Sequence, residues 1–349
     1  MRRDRRVRYN FGSIDHYVFI GGTAALSMIL EKAETRKRVS VVTCEWQLKG
    51  PSHIHGQNFM DFLTTRGMEF HVFKDIRREP RFRKLVGPRV LGISVSAPWI
   101  MRKDTIDLFN GRLINIHGSK LPLYRGGAGM TWQMLQDERR GYYTYHFLAE
   151  KIDGGDILKA GSFIYPSSLT CQMDFLSYQR RKIAESFTSF FKMLKDEKDF
   201  FPQPQDEFLS TYWPRLNAET HGYINWDWPL EEIEKFINAF SDPFDGAQSF
   251  INGERVRIKR AYAKTNEGLF HPFQVGLVYR KTLDAIFAAA KDGALVITSI
   301  NDDNGQPCLK KIRVGSRIFT PYRYIESAMT TQVEYNWKGL KIKDKGNLK

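Results

Sequence analysis

Between His16 and His117, short apolar runs alternate with helix-forming stretches, and that alternation leaves the chain few folds to adopt. Residues 16–30 read as a strand, a glycine turn at Gly21-Gly22-Thr23 and a helix. A second apolar strand over 39–44 completes a strand–helix–strand unit. Helical signals over 57–66 lead into a strand at 69–73, and 90–96 and 112–117 are two more strands around a short helix at 103–109. Strands joined by helical crossovers pair in parallel and are covered on both faces. The expected fold is therefore α/β, a doubly wound, mainly parallel sheet. Ligands of such sheets collect beyond the carboxyl ends of the strands, and His117 stands at one of those ends.

The 349 residues are enough for two domains. A long amphipathic helix is predicted over 172–197, and its stripe of Phe175, Ile183, Phe187, Phe190, Phe191 and Leu194 reads as core packing. A proline-rich, polar stretch then reads as a linker, and after a helix at 231–240 the pattern turns to strands and tight turns at Asn252-Gly253 and Asp292-Gly293. The expected organisation is a basic tail over 1–15, a first domain over 16–200, a linker over 201–220, a small β-rich, barrel-like domain over 221–330 and a basic tail over 331–349.

Composition excludes several classes. No apolar run approaches the roughly 18 residues that span a bilayer, so no membrane association is expected. The arginine-rich start runs into Val7, Arg8, Tyr9 and Asn10 rather than an apolar core, which argues against a secretory signal. Cys44, Cys171 and Cys308 are too few and too scattered for a disulfide framework or a zinc site, so a reducing cytoplasm is the expected location. His53 and His55 have no partners at ligand spacing, and no metal is expected. The net charge of +14 points to an anionic partner such as a phosphorylated small molecule, a nucleotide or RNA. The basic run at Arg77, Arg78 and 81–84 could meet phosphate, although a solvated face is its default reading.

The residues that carry chemistry lie in two blocks. Asn115 and His117, two apart on a strand, face the same side, and a polar, glycine-rich loop over 118–127 follows. An amide beside an imidazole suits acyl transfer. Both can donate to a carbonyl oxygen as it gains negative charge, and a neutral imidazole can take a proton from an attacking amine. Asp153, in Ile152-Asp153-Gly154-Gly155-Asp156, is the natural third member, since a carboxylate beside His117 favours the imidazolium and can hold a water. On these residues alone, a purely structural histidine and aspartate account for the pattern equally well.

The segment 111–126, with Asn115-Ile116-His117-Gly118-Ser119-Lys120-Leu121-Pro122, closely resembles the signature of the 10-formyltetrahydrofolate-dependent formyltransferase superfamily. The block 144–155 resembles that family's substrate-closing loop, in the same order and at a similar distance. The resemblance continues through Gly222-Tyr223-Ile224-Asn225-Trp226 and 239–247 into a carboxy-terminal domain like that of methionyl-tRNA and amino-arabinose formyltransferases. It implies a Rossmann-like first domain, catalysis by Asn115, His117 and Asp153, and 10-formyltetrahydrofolate as formyl donor. By the same resemblance the pterin pocket is lined by backbone around Ser96, Ala97, Pro98, Trp99 and Met101 and by Leu148, Ile152 and Asp153. Gly21, Gly22, Ser119, Tyr124, Arg125 and His146 are expected at the acceptor substrate.

Two acceptors fit the resemblance. The wording His117-Gly118-Ser119 and the presence of His146 look more like enzymes acting on nucleotide-linked amino sugars, and that acceptor is favoured. The second domain and the positive charge suit tRNA, whose binding is largely phosphate neutralisation. Against tRNA, Gly127-Ala128-Gly129-Met130 replaces a Gly-Ala-Ala-Pro turn, and Gly21-Gly22-Thr23 replaces Gly-Thr-Pro. A silent folate- or RNA-binding protein that keeps the fold is the alternative from another class, and a homodimer stays open.

Overall fold

The computed structural model describes residues 7–127, 129–336 and 339–342. Seven strands form the first sheet: β1 (His16–Gly21), β2 (Arg38–Thr43), β3 (Glu69–Val72), β4 (Val90–Val95), β5 (Leu113–His117), β6 (Arg140–Phe147) and β7 (Ile157–Ile164). Their spatial order is β3-β2-β1-β4-β5-β6-β7. The first five pair in parallel, as the alternation required. β1 and β4 are buried at every position, which is why they read as unbroken apolar runs.

β6 and β7 extend the sheet in antiparallel fashion. This corrects the reading of 144–155 as one loop. Residues 140–147 are rich in tyrosine and other strand formers and pair with β5, so the loop proper lies between β6 and β7.

The helix Gln172–Lys195 covers one face through its aromatic stripe. Phe191 meets Tyr17 of β1 at 4.9 Å between ring centroids, and Phe187 meets Phe19 at 6.2 Å. Each such ring taken out of water stabilises the fold by roughly 2–3 kcal/mol. The stripe is core, as expected.

Part of the segment expected as an amino-terminal tail packs on the first domain. Tyr9 and Phe200 exchange backbone hydrogen bonds of 2.9 and 2.8 Å, and Phe11 and Ile14 are buried in the sheet's core cluster. Their apolar side chains draw 9–15 onto the domain, and residues 1–6 of the expected tail lie outside the described residues. The other tail also contains order: Val333–Asn336 pairs antiparallel with Gly339–Ile342, where the Val-x-Tyr and Leu-x-Ile alternation suits a hairpin. Residues 343–349 lie outside the described residues.

The second sheet holds β8 (Ala247–Ile251), β9 (Glu254–Lys264), β10 (Val278–Lys281), β11 (Ile286–Ala290), β12 (Gly293–Asp302) and β13 (Ile318–Phe319), ordered β10-β11-β12-β9-β8-β13. Its two edges meet: Leu277 bridges to Arg317, and the Ile318 amide donates to the Gly276 carbonyl at 2.8 Å. The barrel-like expectation is met. Asn252 and Gly253 both have positive φ, 53° and 87°, as a two-residue hairpin turn between β8 and β9 requires. The helix Leu230–Ala239 buries Leu230, Ile233, Phe236 and Ile237 in the core of this second sheet.

Candidate active site

The carboxyl ends of β1, β4 and β5 lie side by side, since Gly21 pairs with Val95 and Ser94 with Asn115. Gly21, Gly22, Ser96 and His117 therefore share one edge of the sheet. Gly21 has φ 140°, and a Cβ there would stand 1.8 Å from the Val95 carbonyl oxygen, so only glycine permits this turn. Ser96 is exposed at φ 53°, and its carbonyl accepts from Gln47 at 2.8 Å.

At this edge the two signature blocks converge on Asp153. Its Oδ2 lies 3.7 Å from His117 Nδ1 and accepts from the Gly126 amide at 3.0 Å. Its Oδ1 stands 3.5 Å from Asn115 Nδ2 and 3.7 Å from His146 Nε2. Asn115 and His117 do share a face, as their spacing demanded. His117 Nε2 faces the Tyr124 carbonyl at 3.0 Å, so both of its ring nitrogens look onto oxygen acceptors. Asp153 itself sits at φ 50°, a left-handed conformation unusual outside glycine, which aims its carboxylate back at the strand end. Burial pulls its carboxyl upward, but the His117 and His146 rings, the Gly126 amide and Arg125 outweigh that and leave it below the usual carboxylate value.

His146 is placed differently from expectation. It was expected at the acceptor, but its side chain is wholly buried. It stands behind Asn115 on β6, where β6 pairs Asn115 with His146 across the sheet. Its Nδ1 faces the Phe147 carbonyl at 2.8 Å and its Nε2 faces Asn115 Nδ2 at 3.1 Å. That pairing is satisfied by a neutral ring that donates from Nδ1 and accepts at Nε2. Burial pushes the imidazole well below its ordinary value despite the pull of Asp153, which agrees with the neutral form.

Two other residues expected at the acceptor are likewise inside the protein. Ser119 is buried, and its carbonyl accepts from Thr144 at 2.8 Å. The Arg125 guanidinium is 4% exposed and fully engaged, by Gln205 at 2.8 and 3.2 Å and by Glu207 at 2.9 and 3.1 Å. A saturated, buried guanidinium braces its loop rather than meeting a ligand. Tyr124 remains half-buried at the surface of the loop, stacked on Trp213 with its hydroxyl on Gln136 at 2.8 Å.

The segments expected at the pterin meet in one cluster. Trp99 and Met101 are buried there, and Ala97 and Leu148 pack against them. Trp99 donates from its indole nitrogen to the Lys74 carbonyl at 3.0 Å, so its side chain points into the core and leaves backbone to face outward. Ile100 and Ile152 are instead exposed, at 58% and 42%. Two apolar side chains in water beside a charged site suit a flat, partly apolar ligand.

Residues of the linker complete the site, and sequence reasoning missed them. Gln205 donates to the carbonyls of Asp153 and Gly155, both at 2.7 Å, and Glu207 also pairs with Lys151. The Arg125 amide donates to the Thr211 carbonyl, and the Arg125 carbonyl accepts from the Trp213 amide, both at 3.0 Å. No spacing rule marks a glutamine in a proline-rich stretch as part of a site. His53, weighed as half of a metal pair, is held by Ser27 at 2.8 Å and Glu31 at 3.0 Å. Among the described residues no three His, Cys, Asp or Glu side chains gather to hold a metal, and Arg77 and Arg81 are paired with Asp75 and Glu79. Also among these residues, no helix is long and apolar enough to cross a membrane. Ala128, in the turn weighed against a tRNA acceptor, lies outside the described residues.

Fold and site together define a two-domain α/β protein with an Asn-His-Asp cluster at the carboxyl edge of its sheet and a small β-barrel behind it. Residues 93–163 match the formyl transferase family and residues 218–311 match the formyl transferase C-terminal domain. It is similar to the methionyl-tRNA formyltransferase of Streptococcus equi subsp. equi, 27% identical over 191 residues, which are 54% of this chain and 57% of that protein. The chain thus spans little more than half the length of such curated relatives. Among solved structures, an N-formyltransferase from Helicobacter canadensis in complex with folinic acid and dTDP-3-aminofucose superposes with a TM-score of 0.61 at 16% identity, over 82% of this chain and all of that one. The sugar 3N-formyl transferase WlaRD, with dTDP and 5-N-formyl-THF, gives 0.58 at 18% identity over 83% of this chain and 98% of that one. At such identities the likeness speaks for the fold.

Proposed function

We propose that this protein transfers a formyl group from 10-formyltetrahydrofolate to the primary amine of a nucleotide-linked amino sugar. The observation that carries formyl transfer is the convergence of Asn115, His117 and Asp153 within 3.7 Å at the carboxyl edge of the sheet. The donor supplies a formyl carbon activated on a folate nitrogen. Ala97, Trp99, Met101 and Leu148 bring its two expected pocket segments together, and exposed Ile100 and Ile152 offer apolar surface beside them.

In this reading the second proton of the Asn115 amide, held loosely at 3.5 Å from Asp153, turns to a carbonyl oxygen that gains negative charge. A donor so placed is worth roughly 3–4 kcal/mol of barrier. His117 takes the proton that the attacking amine loses as its nitrogen bonds the formyl carbon, while Asp153 orients the His117 ring. When the tetrahedral intermediate collapses, the bond from that carbon to the folate nitrogen breaks and the proton passes to that nitrogen, so tetrahydrofolate leaves. The amino-sugar acceptor is supported by the sugar N-formyltransferases among the structural neighbours. Methionyl-tRNA is the second reading, favoured by the names of the curated relatives and by the +14 charge.

Purified protein incubated with 10-formyltetrahydrofolate, a panel of nucleotide amino sugars and charged initiator tRNA decides between them, with the formylated amine read by mass spectrometry. Formylation of a sugar amine is the expected result. Formylation of the tRNA alone would move the acceptor to the second reading, and transfer to neither would overturn the assignment.

A further inference from the structure

The linker does more than join two domains. Gln203 exchanges backbone hydrogen bonds with Ile157 at the start of β7, at 2.8 and 2.9 Å. Two residues on, the Gln205 side chain reaches the loop that bears Asp153. Its amide nitrogen donates both protons, to the Asp153 carbonyl and to the Gly155 carbonyl. Its amide oxygen accepts twice from Arg125. Every hydrogen-bonding position facing the two blocks is therefore used. Arg125 stands next to Gly126, whose amide holds the Asp153 carboxylate, so one side chain ties the signature loop to the aspartate loop.

This arrangement has a mechanical consequence. Asp153 is held at φ 50°, a conformation that costs a non-glycine residue free energy and persists only where its surroundings enforce it. The Gln205 amide holds the carbonyl of that strained residue and the carbonyl two residues further on, at Gly155. Gly155 supports the fit, because a Cβ there would stand 2.0 Å from the Phe147 carbonyl oxygen. We propose that Gln205 is a positioning residue for the reaction, holding the Asp153 carboxylate on His117 and Asn115 from the interdomain linker. The proposal rests on the formyl-transfer reading above for its kinetic consequence, while its structural content stands without it.

The test uses the full chain with Gln205→Met, which keeps the side chain's length and removes its hydrogen bonds, and Gln205→Glu, which keeps an acceptor for Arg125 but sets a carboxylate against two carbonyls. Phe208→Ala is the control, since Phe208 lies in the same linker at 94% exposure. Both Gln205 variants are expected to lose about tenfold or more in kcat, with KM for the folate donor little changed and the pH–rate profile displaced. Hydrogen exchange at the Gly126 amide is expected to rise about tenfold as its carboxylate acceptor drifts away. A merely structural glutamine would alter thermal stability without moving the pH profile of the folded fraction.

Wild-type kcat and pH profile in Gln205→Met would overturn the proposal. So would full activity in Gln205→Glu, which would leave Gln205 as a brace for Arg125 alone. If the wild-type chain formylates no acceptor, the functional reading fails separately. Exchange at Gly126 still decides the matter: unchanged exchange in Gln205→Met overturns the positioning role, and accelerated exchange upholds it.

Discussion

The side-chain amide of Asn115 donates to Nε2 of His146 across 3.1 Å, from a strand end into a wholly buried ring. The ring in turn faces the Phe147 carbonyl through Nδ1, so its orientation and that of Asn115 are fixed together. Replacing His146 with Phe keeps a planar aromatic ring, somewhat larger, but leaves Asn115 without its buried acceptor. An unmet buried donor costs about 1–3 kcal/mol, and His146→Phe is expected to lose that much stability in urea denaturation. Turnover should fall about tenfold or more, because the Asn115 amide is no longer aimed. Wild-type stability and turnover would mean that His146 does not orient Asn115.

The same ring sets an acid limit on the fold. Burial depresses the His146 pKa from 6.5 to about 4, so the folded chain keeps it neutral where the unfolded chain would protonate it. Between those values the unfolded state binds more protons, and stability rises with pH across that window. Asp153, also depressed, acts in the same direction at lower pH, since its contribution is lost as the folded carboxyl takes up a proton. Denaturation midpoints are therefore expected to fall steadily as pH drops below 6.5, and His146→Phe should flatten that slope. An unaltered slope in the variant would assign the acid limit to other groups.

The parts of the fold that sequence made legible are those with one physical cause. β1 and β4 are buried on both faces, so their apolar runs could mean little else. Asn115 and His117 were legible as a pair because strand geometry puts alternate residues on one face. β6 was obscured because its positions alternate irregularly between buried and half-buried, under tyrosines that serve either state. Gln205 was illegible for a different reason. Its partners are backbone carbonyls 50 and 52 residues away, and nothing in a polar linker distinguishes a glutamine in water from one that spans two loops. The burial of Arg125 and His146 was illegible as well, since it is made by segments distant in sequence.

His117→Ala and Asp153→Asn address the chemistry directly. The first removes the proton carrier and the second keeps the shape of the carboxylate while removing its charge. Both should lower kcat by roughly a hundred- to ten-thousand-fold, the usual worth of a positioned acid or base. Circular dichroism should match the wild type for both, because each side chain lies at the edge of the sheet and not in its core. Near wild-type rates in both would remove these residues from the reaction.

Gly154 and Gly155 stand side by side in the aspartate loop yet differ in what they tolerate. A Cβ on Gly155 would meet the Phe147 carbonyl oxygen at 2.0 Å, backbone that belongs to β6 and cannot withdraw. On Gly154 it would meet the base of the Lys151 side chain, its Cβ at 3.0 Å, a contact relieved by a shift of a few tenths of an ångström. Gly155→Ala must therefore push the loop off β6, and with it the Asp153 carbonyl that Gln205 holds and the carboxylate aimed at His117. A loss of about 1–3 kcal/mol in stability is expected, with turnover reduced by more than the loss of folded protein accounts for. Gly154→Ala should stay within about 1 kcal/mol of the wild type and keep most of its activity. Thermal melts and initial rates on the two variants check this, and equal damage from both would mean that the loop's own flexibility, rather than its packing against β6, sets the position of Asp153.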